Sequence, residues 1–189
     1  WLMRIIGGKF KGKKILEPKD KQTRPLKDLT KESIFNIINH SNKFSININK
    51  ANVLDLFSGV GSFGIECLSQ GVSHVTFIEK YEGVLPILKK NLNNLKSEIN
   101  YEIIESDILN RFEFKSLKLS YDLVFLDPPY KEKALENILN KIIENKILKK
   151  NGIIIIHRHR KEIDKFPKNF QLIDEKNYGI SKIIFGSYF

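Results

Sequence analysis

From Asn52 onward, short apolar runs alternate with longer stretches in which apolar positions recur every three or four residues. The short runs Val53–Phe57, Val75–Glu79, Tyr101–Glu105, Leu123–Asp127 and Gly152–Ile156 read as strands. The longer stretches read as helices over Gly61–Gln70, Gly83–Leu95 and Lys133–Leu148. Gly71 follows the first at the C′ position, and Pro86 is tolerable in the second because it falls in the first turn. Strands apolar on both faces and separated by helices imply a parallel sheet covered on both sides. The tail, "FQLIDEKNYGISKIIFGSYF", reads as two strands joined near Asn177–Gly179. The expectation is a doubly wound α/β fold with a mostly parallel seven-stranded sheet and an antiparallel C-terminal edge hairpin. Tyr178 and Tyr188 read as edge-strand packing.

Residues 1–50 follow a different pattern. Ile5-Ile6 and Ile15-Leu16 flank glycines, which reads as a hairpin of short strands, and "KDKQTRPLKDL" reads as a loop. Asp28 is the expected N-cap of a helix to about Asn39, with Ile34, Ile37 and Ile38 on one face. The polar stretch "NHSNKFSININKAN" marks a boundary, giving an N-terminal extension of residues 1–50 and a main domain of 51–189. Charge sharpens this division. The chain carries a net charge of +10, and residues 1–50 hold 12 Lys and Arg against 4 Asp and Glu. Such one-sided excess beside a nearly neutral body suits a phosphate-binding face, with a solvated surface as the alternative.

Other features narrow the class. A lone cysteine, Cys67, excludes an internal disulfide and a cysteine metal cluster, and its helical position suggests a buried thiol. No apolar run approaches a membrane span, and the first residues carry no signal-like stretch, so a cytoplasmic protein is expected.

Two motifs carry chemistry. In "VLDLFSGVGSFG" the spacing of Gly59, Gly61 and Gly64 forms a GxGxxG turn between strand and helix. Asp55 precedes the turn, where a pyrophosphate-binding loop would not favour another anion. Glu79 ends the next strand, 18 residues past Gly61, where a carboxylate can take both ribose hydroxyls. This suits a nucleoside with a cationic amino-acid tail, such as S-adenosylmethionine; a dinucleotide and a plain packing turn are the alternatives. Asp107, in "ESDIL", either accepts from the adenine amino group or is the N-cap of a helix from Ile108 onward. The second motif ends a core strand with Asp127-Pro128-Pro129-Tyr130. An exocyclic amine attacks only when acceptors draw its hydrogens aside and aim its lone pair at the electrophile. The Asp127 carboxylate and the Pro128 carbonyl are acceptors, the prolines add no donors, and Tyr130 offers a stacking face.

Together, "LDLFSGVGSFG" and "LDPPY" resemble the amino-methyltransferases among the S-adenosylmethionine enzymes. More narrowly, "RIIGGKFKGKKI", "TRPLKDLTKESIFNII" and "VLDLFSGVGSFGIECLSQG" resemble, in order, the bacterial 16S rRNA guanine-N2 methyltransferase family of the RsmD type. The resemblance runs from about Arg4 to the C-terminus. It implies a Rossmann-like class I methyltransferase fold and methyl transfer to a guanine amine in 16S rRNA, within the small ribosomal subunit, by a metal-free monomer. It implies that Asp55, Phe57, Gly59, Gly61, Glu79, Lys80, Asp107 and Ile108 bind the cofactor. Asp127, Pro128, Pro129 and Tyr130 hold the base, and Arg4, Lys9, Lys11, Lys13, Arg24 and Lys27 grip RNA. After Arg24-Pro25 the family commonly has threonine and further arginines, where this chain has Leu26, Leu29 and Lys31. A DNA adenine or cytosine amino-methyltransferase and a non-catalytic RNA-binding assembly factor are the rival readings. "HRHRK" (His157–Lys161) reads as a basic rim or a solvated strand end, since two histidines without convergent partners make no metal site.

Overall fold

The computed structural model describes residues 3–20, 25–129 and 133–188. The main sheet contains β3 (Asn52–Leu56), β4 (His74–Glu79), β5 (Tyr101–Glu105), β6 (Tyr121–Leu126), β7 (Leu148–His159), β8 (Phe170–Tyr178) and β9 (Ser181–Tyr188). Its order is β5-β4-β3-β6-β7-β9-β8, with β5 through β7 parallel and β9 and β8 antiparallel. The tail is therefore the expected hairpin, with β9 against β7 and β8 on the edge.

Side chains alternate across the strands and build two apolar layers. One face sets Val53, Phe77, Phe125 and Ile155 against α1 (Asp28–His40), α2 (Ser62–Gln70) and α3 (Leu85–Asn93). The other sets Leu56, Val124, Leu126 and Ile154 against α4 (Ala134–Glu144), through Leu135, Ile138, Leu139 and Ile142. Burying both faces explains why the strands are apolar throughout. Gly71 ends α2 in the left-handed region, and Pro86 sits in the first turn of α3. Cys67 is fully buried.

The first residues pair β1 (Met3–Arg4) with β2 (Lys14–Ile15), and Met3, Ile5, Phe10 and Ile15 enter the same layer as α1 to α3. Buried polar groups fix this docking. Glu66 in α2 accepts from the Ile6 and Gly7 amides at 2.8 and 3.0 Å, and Ser69 Oγ accepts from the Phe10 amide at 2.9 Å. Lys31, also fully buried, stands 3.4 Å from Glu66 and donates to the Arg4 carbonyl and to Ser62 Oγ.

Four boundaries differ clearly from expectation. The last helix stops at Glu144 rather than Leu148, and the following strand starts at Leu148 rather than Gly152 and runs on to His159. The exposed run Lys149-Lys150-Asn151 disguises its start, and pairing of His159 with Ser181 on β9 prolongs its end. Asp28 is the first helical residue rather than the N-cap; Lys27 occupies the cap position without a side-chain bond. The Asp28 carboxylate instead lies 3.8 Å from Lys31.

Candidate active site

The chain winds outward from β3 through β4 to β5, then returns to start β6 on the other side of β3. Between β3 and β6 the strand order reverses, and the crevice at their carboxyl ends is where such sheets bind ligands. Phe57, Glu79, Lys80, Asp107, Ile108 and Pro129 come together there, lining a cleft of about 220 Å³. It meets a wider groove of about 590 Å³ that shares Lys80 and Asp107 and extends to Glu82 and Arg111.

The glycine turn adjoins this cleft: Phe57, just before it, is in the lining, while Gly59 and Gly61 are not. Gly61 has φ of +90°, and a Cβ there would stand 2.5 Å from Leu88 Cδ1, so both conformation and packing demand glycine. Phe57 also has positive φ, at +59°, an outlier for an aromatic residue and of the kind that clusters at ligand clamps. The Gly59 amide donates to Glu79 Oε1 at 2.8 Å, tying the turn to the end of β4. Glu79 Oε2 accepts from the Lys80 and Tyr81 amides at 2.8 and 3.0 Å. Three of roughly four lone-pair directions are thus engaged by backbone donors.

Asp55 is placed differently from expectation. It is buried beneath α2, where Oδ2 accepts from the Gly64 amide at 3.1 Å, so it shapes the turn from below instead of facing the ligand. Burial pushes its carboxyl well above the usual range; the Gly64 hydrogen bond opposes this, and the charges of Asp127 and Glu79 add to it. Asp107 lines the cleft, and its Oδ1 accepts from the Leu109 amide at 3.0 Å in a turn rather than at a helix start. The Asn110 amide group is the main influence lowering its pKa, helped by Leu109 and Lys80. No α-helix follows it.

Cross-strand register fixes the acceptor motif. Leu56, Leu126 and Ile156 are paired, so Asp127 and His157 emerge next at one level. Alternation puts Asp55, Asp127 and His157 on the α1–α3 face. Asp127 is partly exposed at the crevice, 3.2 Å from His157 Nδ1. Arg158, one residue on, points to the opposite face, where it is buried. It grips Asp164 with two bonds of 3.0 and 2.8 Å and donates to the Pro128 carbonyl at 3.3 Å. That carbonyl keeps one lone pair for a further donor. Tyr130 lies outside the described residues.

A family model described as conserved hypothetical protein 95 matches residues 3–187. Ribosomal RNA small subunit methyltransferase D of Haemophilus influenzae is 34% identical over 179 residues, covering 94% of this chain and 90% of its own length. The chain belongs to this family, the RsmD type. Its Escherichia coli member is 31% identical, with 94% of this chain and 85% of that protein covered. Among solved structures, a candidate methyltransferase of E. coli, yhhF, matches with a TM-score of 0.81 at 29% identity, covering 100% of this chain and 98% of its own. A candidate methylase of H. influenzae matches at 0.74 and 31% identity, with 98% of each chain covered. The fold is that of the class I methyltransferases.

The residues expected to bind RNA separate into two groups. Arg4 and Lys27 are exposed near the start of α1, while Arg24 lies outside the described residues. Lys9, Lys11 and Lys13 sit on the tip between β1 and β2, which docks on the far end of α2 through the Ser69 carbonyl. A nine-residue helix puts that tip roughly 12 Å from the glycine turn. Lys9 and Lys13 also reach Ser97 Oγ and the Asn94 and Leu95 carbonyls at the end of α3. Lys31, read as a departure in an RNA-contacting loop, proves to be a buried structural cation. Within "HRHRK", Arg158 is no part of an exposed rim; alternation from Ile156 is the signal that could have turned it inward. Among the described residues, no cluster of three His, Cys, Asp or Glu could hold a metal ion, and no helix is long and apolar enough to cross a membrane.

Proposed function

We propose that this protein transfers a methyl group from S-adenosylmethionine to the exocyclic N2 amine of a guanine in 16S rRNA within the small ribosomal subunit. The observation that carries the reading is the pair of acceptors at the end of β6: Asp127, with His157 Nδ1 3.2 Å away, and the Pro128 carbonyl, which Arg158 bonds at 3.3 Å. Kinship with small-subunit rRNA methyltransferases supports the substrate.

S-adenosylmethionine supplies an electrophilic methyl group on a sulfonium. Phe57, Ile108 and Pro129 provide apolar walls for its adenine, Glu79 accepts a ribose hydroxyl, and the carboxylates of Glu79 and Asp127 favour its cationic end. Asp127 and the Pro128 carbonyl accept the two amine hydrogens, which aims the nitrogen lone pair along the line of displacement. Positioning of this kind supplies most of the rate. Tyr130 stacks on the extruded base, a contact worth about 1–3 kcal/mol. Residues 1–50 form the RNA-binding extension, in which Arg4, Lys9, Lys11, Lys13, Arg24 and Lys27 grip RNA phosphates, with Arg4 and Lys27 nearer the crevice than Lys9, Lys11 and Lys13. The protein acts as a cytoplasmic monomer without metal.

The test offers radiolabelled S-adenosylmethionine to wild type and Asp127→Ala, with unmodified small subunits, naked rRNA and duplex DNA as acceptors. Label in N2-methylguanosine from RNA, lost in the variant, is expected. Label in methyladenine or methylcytosine from DNA would overturn the substrate, and transfer undiminished in the variant would remove Asp127 from the chemistry.

A further inference from the structure

His157 continues β7 past the end of its apolar run, at the level of Asp127 on the neighbouring strand. Its side chain is only 18% exposed. Nε2 lies 2.9 Å from Ser181 Oγ on β9. Nδ1 is sealed from water and lacks an aligned hydrogen-bond partner, although Asp127 Oδ1 stands 3.2 Å away. The distance suits a bond and the angle does not. A buried polar atom left unbonded is costly, and a turn of the carboxylate completes the contact. Catalytic hydrogen bonds commonly tighten in this way when substrate arrives.

The partners decide the tautomer. A carboxylate only accepts, so Nδ1 must carry the proton that faces Asp127, and Nε2 of the neutral ring then accepts from the Ser181 hydroxyl. We infer that His157 is a positioning residue for methyl transfer, pinning Oδ1 of Asp127 through Nδ1–H so that Oδ2 is the oxygen presented to the target amine. The inference rests on the reaction proposed above. In that reaction the amine nitrogen bonds to the methyl carbon as the carbon–sulfur bond breaks, and the electron pair of that bond stays on sulfur. The nitrogen, now cationic, loses one proton to Asp127 Oδ2. Asp127, partly exposed, releases it to water and returns to the carboxylate. A carboxylate free to rotate would present neither oxygen reliably.

A second proton on the ring changes this arrangement. It sets a full positive charge against Asp127, weakens that carboxylate as an acceptor, and turns Ser181 from donor to acceptor. The charged and titratable groups around the ring are Asp127 on β6, Asp55 behind it on β3, and His159 two residues along β7 on the same face. On β9, Lys182 follows Ser181 but directs its ammonium to the Glu162 carbonyl and toward Glu175.

Three variants and one spectrum test the assignment. His157→Gln keeps an N–H donor that does not titrate, His157→Phe removes it, and Ser181→Ala removes the group that fixes the ring. Rates are measured on unmodified small subunits, cofactor affinity by calorimetry, folding by thermal melting, and the wild-type ring tautomer by nitrogen-15 NMR. His157→Phe should lower kcat about ten- to hundredfold with cofactor affinity unchanged. His157→Gln should stay within about threefold of wild type, and Ser181→Ala should fall between them. The neutral wild-type ring should carry its proton on Nδ1. A neutral ring protonated on Nε2, a His157→Gln that loses as much kcat as His157→Phe, or a well-folded His157→Phe with wild-type kcat would each overturn the assignment. Absence of methyl transfer by wild type to any acceptor would instead overturn the reaction on which it rests, whatever the tautomer.

Discussion

Removing the Glu66 carboxylate should loosen the N-terminal extension from α2. In Glu66→Ala, the Ile6 and Gly7 amides lose their acceptors at 2.8 and 3.0 Å, and Gln70 loses a partner at 3.2 Å. The Lys31 ammonium loses its counter-ion at 3.4 Å and keeps the Arg4 carbonyl at 2.9 Å, Ser62 at 3.2 Å and Asp28 at 3.8 Å. Burial already holds Lys31 below its ordinary pKa, with Glu66 and Asp28 pulling it back up. Breaking a buried pair costs about 3–5 kcal/mol, and each stranded amide about 1–3 kcal/mol. These losses overlap, because water follows into the space left by the side chain, so a total of about 4–6 kcal/mol is expected. At roughly 2–4 °C per kcal/mol for a domain of this size, the melting temperature should fall by about 10–20 °C. Thermal and urea unfolding measure the loss, and amide exchange at Ile6 and Gly7 should accelerate together. In a Glu66→Met/Lys31→Met double variant the loss should be smaller than the sum of the single losses by more than about 1 kcal/mol. A Glu66→Ala variant that melts within about 3 °C of wild type, with unchanged exchange at both amides, would refute the reasoning.

Further consequences follow for the site. Burial raises the Asp55 carboxyl, so the folded state keeps its proton to higher pH than the unfolded chain. This contribution is fully present below the unfolded pKa and is lost as pH rises toward the folded one. The stability of Asp55→Asn relative to wild type should therefore grow between about pH 4 and pH 8 in urea unfolding, and a flat difference would exclude the account. Gly61→Ala places a Cβ 2.5 Å from Leu88 at φ +90°, so it should cost about 1–3 kcal/mol and weaken cofactor binding; unchanged affinity by calorimetry would contradict this. Arg158→Met strands the buried Asp164 and frees the Pro128 carbonyl, so kcat should fall along with stability. Adding Asp164→Leu should restore stability but not kcat, and restoration of both would show that the Pro128 contact is idle.

Much of this protein is written in local pattern. Strands apolar on both faces announced a covered parallel sheet, and Gly71 marked a helix end that the structure keeps. Glu79 and Asp107 were singled out by motif and spacing, and Phe57, Lys80 and Ile108 by the family resemblance; one cleft gathers all five. Other features depend on partners far along the chain. The start of β7 was hidden because Lys149, Lys150 and Asn151 are exposed within a strand whose pairing with β6 and β9, not its composition, defines it. Lys31 resembled an exposed loop cation because its counter-ion, Glu66, lies on a different helix.

The amino-acid sequence by itself determined the element types, the glycine turn and the acceptor motif, since propensity, periodicity and turn geometry act over a few neighbouring residues. Only the tertiary structure decided that Asp55 lies beneath the turn, that the Lys9–Lys13 tip sits at the far end of α2, and that β7 sends His157 to Asp127 and Arg158 to Pro128. Those placements follow from strand register and helix docking. A shift of one residue in β7 would exchange the two faces and leave Asp127 without its ring nitrogen.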